Sequence, residues 1–489
     1  MRRRTLILGG FALGGAALAA PAVLRGGHMG GMVDGHANGS RAALKNGEPL
    51  RVPRLLDATQ GRLSLRANAG ETRFGAGAPT STMGFDQPYL GPTLRLRRGT
   101  EVAATVTNAT KVPVSLHWHG LNVPSDADGG APQSVLQPGG RWTPSLPVDQ
   151  PAATLWYHTH VHGRTAMDLW AGLAGAIVLD DGVPSGLPDA YGTDDLVLLC
   201  QDKSFDRAGR AVYKPDMMAA MHGSAGDVLL VNGQIAPVAR VPKGLVRLRF
   251  INASSGASHR FTFDRPAWVV GVDQGLLPAP VEVSQLRLSP GERAEIVVDM
   301  GEGGESAIEA LVSPAGGMGM MGGAGARTVA VTLAPDASLP ARTMLPTVLP
   351  AMPLETGAPV ATRRFRLEEN MGPMQMVRRA VGRAPVMSIN GAAYEPARID
   401  FTARQGTVER WTIETDHMPH PFHAHGVKFR IVEPRRPEET GWKDVAHIEG
   451  RRDLLVSIDA PSRADIPFMF HCHILEHEDA GMMGQFLTA

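Results

Sequence analysis

Ten of the 17 histidines fall in four short clusters: His117/His119, His158/His160, His420/His423/His425 and His471/His473/His477. Neutral imidazole is a ligand for copper, zinc, iron and nickel. In an extended strand, residues i and i+2 face the same way, so each His-x-His aims two rings at one spot. One such pair is weak evidence, because a strand can carry two exposed histidines. Four clusters holding ten histidines are strong evidence of a metal site. The segment HCHILEHEDAGMM (471–483) is the most informative. Alternation puts His471 and His473 on one face and Cys472 on the other. One strand would then offer two imidazoles to one site and a thiolate to a second. His477 and Met482 follow Cys472 by five and ten residues and are placed to close round it. A thiolate, two imidazoles and a distant thioether form the ligand set of a blue-copper electron-transfer centre. In HPFHAHG (420–426) His423 and His425 share parity while His420 has the opposite one. This segment too serves two sites.

Such ligands need rigid strands, and the chain has the punctuation for them. Its 489 residues are 43% hydrophobic and 20% charged, enough to bury ordinary cores. Gly (57) and Pro (38) are frequent enough for a fold with many turns. Short β-branched runs such as 94–108, 171–181, 194–202, 245–254, 268–273 and 294–300 stand between Gly, Pro, Asn and Asp. The expected fold is all-β: three consecutive Greek-key sandwiches or barrels, at 48–183, 190–336 and 362–489, with a Pro-rich connector at 337–361. The clustered histidines lie in the first and last of these domains. Lys+Arg and Asp+Glu are both 48, so no basic surplus exists for nucleic acid. With two cysteines the chain is not a disulfide scaffold, and a metal-bound Cys472 would leave Cys200 a lone buried thiol. Residues 1–24 (MRRRTLILGG…) read as a twin-arginine signal peptide and 25–47 as a flexible Gly/His/Met linker. The protein is expected in the periplasm, as a monomer without a stable membrane anchor.

The four segments, with RLRFINASS, VVGVDQG and LSPGERAEIVVD in the middle block, resemble the three-cupredoxin multicopper oxidases, the family of laccases and bacterial cuprous oxidases. The resemblance spans about 50–489. It implies four copper ions, and a trinuclear site shared by the first and last domains with the middle one as a spacer. The type 1 copper takes His420, Cys472 and His477, with Met482 as weak axial ligand. The type 2 copper takes His117 and His423, and the type 3 pair takes His119, His158, His160, His425, His471 and His473. All ten clustered histidines are thereby used, which argues against relatives that keep the fold but lose copper. The resemblance further implies that single electrons from a reductant reduce dioxygen to water, with Asp128 and Glu478 handling protons. Asp128 could instead simply make a turn with Gly129 and Gly130.

The reductant is less legible. Thioethers select Cu(I), and Asp416-His417-Met418-Pro419-His420 has the Asp and Met that bacterial cuprous oxidases place before this histidine. Met371, Met374 or Met376 could complete a Cu(I) site. Phenols and aromatic amines are the alternative donors. A nitrite-reductase relative is disfavoured by three blocks and two His-x-His pairs in the first. A periplasmic copper store needs no electron path, and so is disfavoured by Cys472.

Overall fold

The computed structural model describes residues 47–130, 132–214, 216–317, 326–370 and 387–489. The expected signal peptide and nearly all of the linker lie outside the described residues, as do most of the Gly-Met loop at 316–323 and Met371, Met374 and Met376.

Alternation in the sequence becomes alternation in burial. Arg62–Thr72 begins exposed–buried–exposed, which sends Leu63, Leu65 and Ala67 inward and the residues between them to solvent. Strand after strand does the same, and the described residues form six sheets in three pairs. In the first block, Leu55–Asp57, Thr93–Arg97, Ala174–Asp180 and Ala153–His158 form one sheet, and it faces one built on Arg62–Thr72 and Thr100–Asn108. Leu65, Val106, Trp118, Tyr157 and Ile177 are packed together in that block's core. The middle block pairs a sheet centred on Asp195–Phe205, Leu245–Asn252 and Arg293–Asp299 with one centred on Ser306–Pro314. In the last block, Phe401–Ala403, Met483–Thr488, Phe468–Cys472, His420–Ala424 and Val445–Ile448 form one sheet, opposed by one centred on Thr407–Thr415. The fold is all-β, as the patterning predicts, and cupredoxin-like, as the resemblance implies. Among the described residues, no helix is long and apolar enough to cross a membrane.

Two boundary segments make contacts beyond their own block. Residues 47–50 lie along the middle block, where Gly47 N–H donates to Ala236 O (3.1 Å) and Leu50 N–H to Val238 O (2.8 Å). The strand Val238–Pro242 has an open edge, and the extended entry segment fills it. The connector fastens the last two blocks: Leu349 N–H donates to Pro278 O (2.9 Å), and Trp442 Nε1–H donates to Pro353 O (2.9 Å).

Candidate metal centres

The strands Phe468–Cys472 and His420–Ala424 pair antiparallel, with Phe422 opposite Cys472 and His423 opposite His471. This register places the histidine-bearing ends of both strands side by side. After Cys472 the chain turns into the short helix Leu475–Asp479, which brings His477 back to the thiol. His420 Nδ1 lies 3.3 Å from Cys472 Sγ and 3.3 Å from His477 Nδ1, and Sγ is 3.7 Å from His477 Nδ1. All three residues are fully buried. Met482 is fully buried in the same core, and its carbonyl accepts the Cys472 N–H at 3.1 Å. Cys472 and Cys200 are both free thiols.

On the other face, eight imidazoles form a cage. The Nε2 atoms of His160 and His425 lie 3.3 and 3.2 Å from His471 Nε2. His119 Nδ1 lies 3.4 Å from His158 Nε2, and His473 completes that group. His117 joins His119 and His423 in another, and within each group the potential ligand atoms lie within 4.8 Å of one another.

The outward nitrogens decide what the inward ones can do. His117 Nδ1 faces Asp128 O (3.1 Å), His423 Nδ1 faces Asp444 O (2.7 Å) and His158 Nδ1 faces Thr159 O (2.7 Å). His471 Nδ1 faces Cys472 O (3.0 Å), and His425 Nδ1 faces an Asp128 carboxylate oxygen (2.8 Å). Those acceptors fix the N–H on the outer nitrogen and leave a bare lone pair on the inner one. Burial drives His158, His160, His423 and His471 far below the usual histidine range, and neighbouring imidazoles push further the same way. His425 is lowered to about 4, chiefly by burial and His117, against the pull of Asp128. Neutral rings with converging lone pairs repel one another unless a cation sits between them. The inner nitrogens of His117 and His423 are buried with no hydrogen-bond partner among the described residues. The donor set therefore fits copper ions: imidazole alone in the cage, thiolate plus imidazole opposite. Burial raises the Cys472 thiol, so its proton leaves only when a cation replaces it.

Glycines let backbone approach the rings. A Cβ on Gly130 would stand 2.3 Å from His425 Cε1, and one on Gly291 (φ +86°) would stand 2.9 Å from the His473 ring.

Two family profiles, each described as multicopper oxidase, match residues 67–183 and 365–489. A bacterial laccase-like multicopper oxidase from Ochrobactrum sp., with oxidase activity towards lignin model compounds, superposes at a TM-score of 0.82. It is 37% identical, over 90% of this chain and all of that one. The multicopper oxidase of Aquifex aeolicus gives 0.79 at 26% identity, over 91% of this chain and all of that one. Among curated proteins, the cell division protein FtsP of Escherichia coli is 38% identical over 90% of this chain and 93% of that protein. The chain belongs to the multicopper oxidase family.

Within this multicopper oxidase the proton-handling candidates sit against the cage. Asp128 Oδ2 accepts from His425 Nδ1 and from Gly130 N–H (3.0 Å), and lies 3.3 Å from His117 Nδ1. Asp128 thus makes the turn with Gly130 and touches the cage as well. Burial acts to raise its carboxyl, but His117 and His425 hold it well below the carboxylate range. Glu478 Oε2 lies 3.1 Å from His471 Nδ1, and Oε1 lies 3.8 Å from His160 Nε2. Burial and then Asp479 hold Glu478 well above the ordinary carboxylate value.

Other residues of the multicopper oxidase escaped the sequence reading. His119 Nε2–H donates to Asp444 Oδ1 (3.0 Å). Arg293, from the middle block, donates to Asp444 Oδ1 (2.5 Å) and Oδ2 (2.7 Å), to Thr154 O (3.1 Å), to Gly291 O (3.1 Å) and to Asp273 O (2.9 Å). Gln274 bonds Asp444 and Gly120 O. The middle block is therefore more than a spacer: its guanidinium clamps the carboxylate that orients His119. At the thiolate site, Glu369 contacts His420 Nε2. The Cu(I) candidates are split. Asp416 is ion-paired with Arg366 (Nε to Oδ2, 3.1 Å), and the Met418 methyl packs at Gly316.

Proposed function

We propose that the protein is an exported oxidase that couples one-electron oxidation of a small reductant to four-electron reduction of dioxygen to water. The observation that carries this reading is a single strand, Phe468–Cys472 with its continuation, that gives Cys472 to one cluster and His471 and His473 to the other. Covalent bonds alone then join the two clusters. His420, Cys472, His477 and Met482 would hold one copper, His117 and His423 a second, and the remaining six histidines a third and fourth. Bound there, copper supplies reversible one-electron redox chemistry and the site at which oxygen is reduced.

The chain's own residues do the rest. Asp128, ionised, orients His425 and His117. Glu478 holds a proton beside His471 and His160, ready for reduced oxygen. Its neighbour Asp479, raised to about 6 mainly by burial, accepts the N–H groups of Thr165 and Ala166 (both 3.0 Å). The buried walls exclude bulk water. Cu(I) is the first candidate reductant, on the strength of the Met418 thioether before His420; phenols and aromatic amines are the second. The twin-arginine leader supports a periplasmic location, and we expect a monomer. Purified protein loaded with copper should bind about four ions, turn blue and consume oxygen with an added reductant. A colourless protein that consumes no oxygen after loading would refute the reading.

A role in cell division is the second reading, favoured by the 38% identity to FtsP. A Cys472→Ser chain that restores division to Escherichia coli lacking FtsP would support it.

A further inference from the structure

Residues 51–54 carry the chain from the middle block to the first, and their backbone is pinned on the way. Gln234 Oε1 accepts the Arg51 N–H (2.6 Å), Asn232 Nδ2–H donates to Arg51 O (3.0 Å), and the Tyr191 hydroxyl donates to Pro53 O (2.8 Å). Asn232 and Gln234 are themselves buried. Two buried amides thus hold the backbone of Arg51, while its exposed guanidinium has no ion pair among the described residues.

Beside this segment lies a cleft between the two blocks. It comprises a cavity of about 640 Å³ and a second of about 290 Å³, and Arg51 and Arg73 line both. The floors are continuous. Tyr89 lines the larger cavity and Phe74 the smaller, and their rings meet edge to face at 4.9 Å. Both rings belong to the apolar cluster that packs the first block on the middle one. Small-molecule sites are typically ~300–1,000 Å³, lie at block boundaries and have apolar walls with a few placed polar groups.

The polar groups here are mostly cationic. Arg73 Nη1–H donates to Gly77 O (2.8 Å) and has no ion pair among the described residues. Arg54 also lines the larger cavity, but Asp86 neutralises it (3.3 Å). The carboxylates of the lining, Glu71 and Glu48, pair with neither Arg51 nor Arg73. The backbone is strained as well. Of five non-glycine residues with positive φ among those described, Leu90 (60°) and Asn232 (52°) line the larger cavity, and Asp86 (59°) is the residue that holds Arg54. Such outliers persist only where the surroundings enforce them, and they gather at ligand clamps.

We propose that this cleft is a binding site, separate from the metal centres, for an amphiphilic organic anion: its apolar body lies on Tyr89 and Phe74, and its carboxylate or phosphate on Arg51 and Arg73. The guanidinium fork matches both oxyanions. Arg51 is held by the middle block and Arg73 follows a strand of the first, so the anion clips the two blocks together. Binding therefore stabilises the folded chain whether or not it holds copper.

Isothermal titration of the full chain, metal-free and copper-loaded, tests this with four probes: phenylbutyrate, phenylpropyl phosphate, the uncharged phenylbutanamide and inorganic phosphate. The two aryl anions should bind about tenfold more tightly than the amide, which lacks the charge, and than inorganic phosphate, which lacks the apolar body. Tighter binding of the butyrate assigns a carboxylate head; tighter binding of the ester assigns a phosphate one. Arg51→Gln and Arg73→Gln should each weaken the aryl anions about tenfold, with amide binding and copper content as in the wild type. Aryl anions that bind no more tightly than the amide, or that bind both variants as they bind the wild type, overturn the proposal. Inorganic phosphate bound as tightly as the ester overturns it too, since the aromatic floor would then contribute nothing. Thermal unfolding of the wild type needs no variant: the aryl anions should raise the midpoint with rising concentration and the amide should not. A midpoint that stays fixed at anion concentrations saturating the titration also overturns it.

Discussion

The two metal centres share a strand but are built differently. His420, Cys472, His477 and Met482 all come from the last block and project from or beside one sheet, inside one hydrophobic core. Four of the eight cage imidazoles come from the first block and four from the last, and Arg293 of the middle block holds Asp444, which orients His119. The thiolate site thus inherits its geometry from the folding of one sandwich. The cage exists only when three blocks dock, and its accuracy rests on buried charges that must all be paired. Cysteine chemistry and docking should therefore be separable by mutation.

The largest effect should follow Cys472→Ser. Blue absorption should vanish and oxygen uptake should fall to background, while electron paramagnetic resonance still reports copper in the cage. Loss of copper from both centres would mean that they are not independent. Arg293→Met comes next. It leaves Asp444 without its cation in a fully buried setting, while Asp273 keeps Lys443 at 3.0 Å, and removing one partner of a buried ion pair costs about 3–5 kcal/mol. Denaturant unfolding should show that loss, and copper analysis should show a depleted cage beside a retained blue centre. Wild-type stability with a full copper complement would refute the docking argument. Glu478→Gln should be milder: its shape stays, and proton delivery slows roughly a hundredfold. Anaerobic reduction of the blue centre by a donor should be unchanged, while stopped-flow reoxidation by oxygen slows. Unchanged reoxidation would remove Glu478 from the proton route.

Much of this contrast was legible in the sequence, for physical reasons. Strand period is 2, so His471/Cys472/His473 had to face two ways, and the histidines of 420–426 split by the same parity. Charged residues that serve the cage leave no such trace. Arg293 opens RAEIVVD and Asp444 follows Lys443; each looks like an ordinary strand-end charge until docking brings residues 151 positions apart together. Glu369 was hidden for a related reason: its partner His420 lies 51 residues on, in the opposite sheet. Asp416 carried the expected spacing, but spacing along a chain does not reveal that Arg366 on a neighbouring strand neutralises it.

The smallest effect tests whether every buried cation between blocks matters as Arg293 does. Lys203 is 1% exposed on the strand Asp195–Phe205. Its ammonium donates to Trp170 O in the first block and lies 4.3 Å from the Trp170 ring centroid. Arg293 has carboxylates and carbonyls around it, but the Lys203 ammonium has one carbonyl and two rings, Trp170 and Tyr89 (5.7 Å to the latter's centroid). Burial lowers its pKa from 10.5 to about 7, against the opposing pull of Asp202. Near pH 6 both folded and unfolded chains carry the proton, and the folded state bears the full cost of burying charge. Between about pH 7 and 10 the folded chain has released the proton while the unfolded chain keeps it. Stability should then rise with pH, by up to about 1.4 kcal/mol per unit from this group. Lys203→Met removes the charge at every pH. Its stability advantage over wild type should be greatest near pH 6 and should shrink steadily toward pH 9, read as the difference in urea-unfolding free energy for the two metal-free proteins. A difference that is constant across that range would mean Lys203 keeps its charge when buried, making it a second clamp of the Arg293 kind.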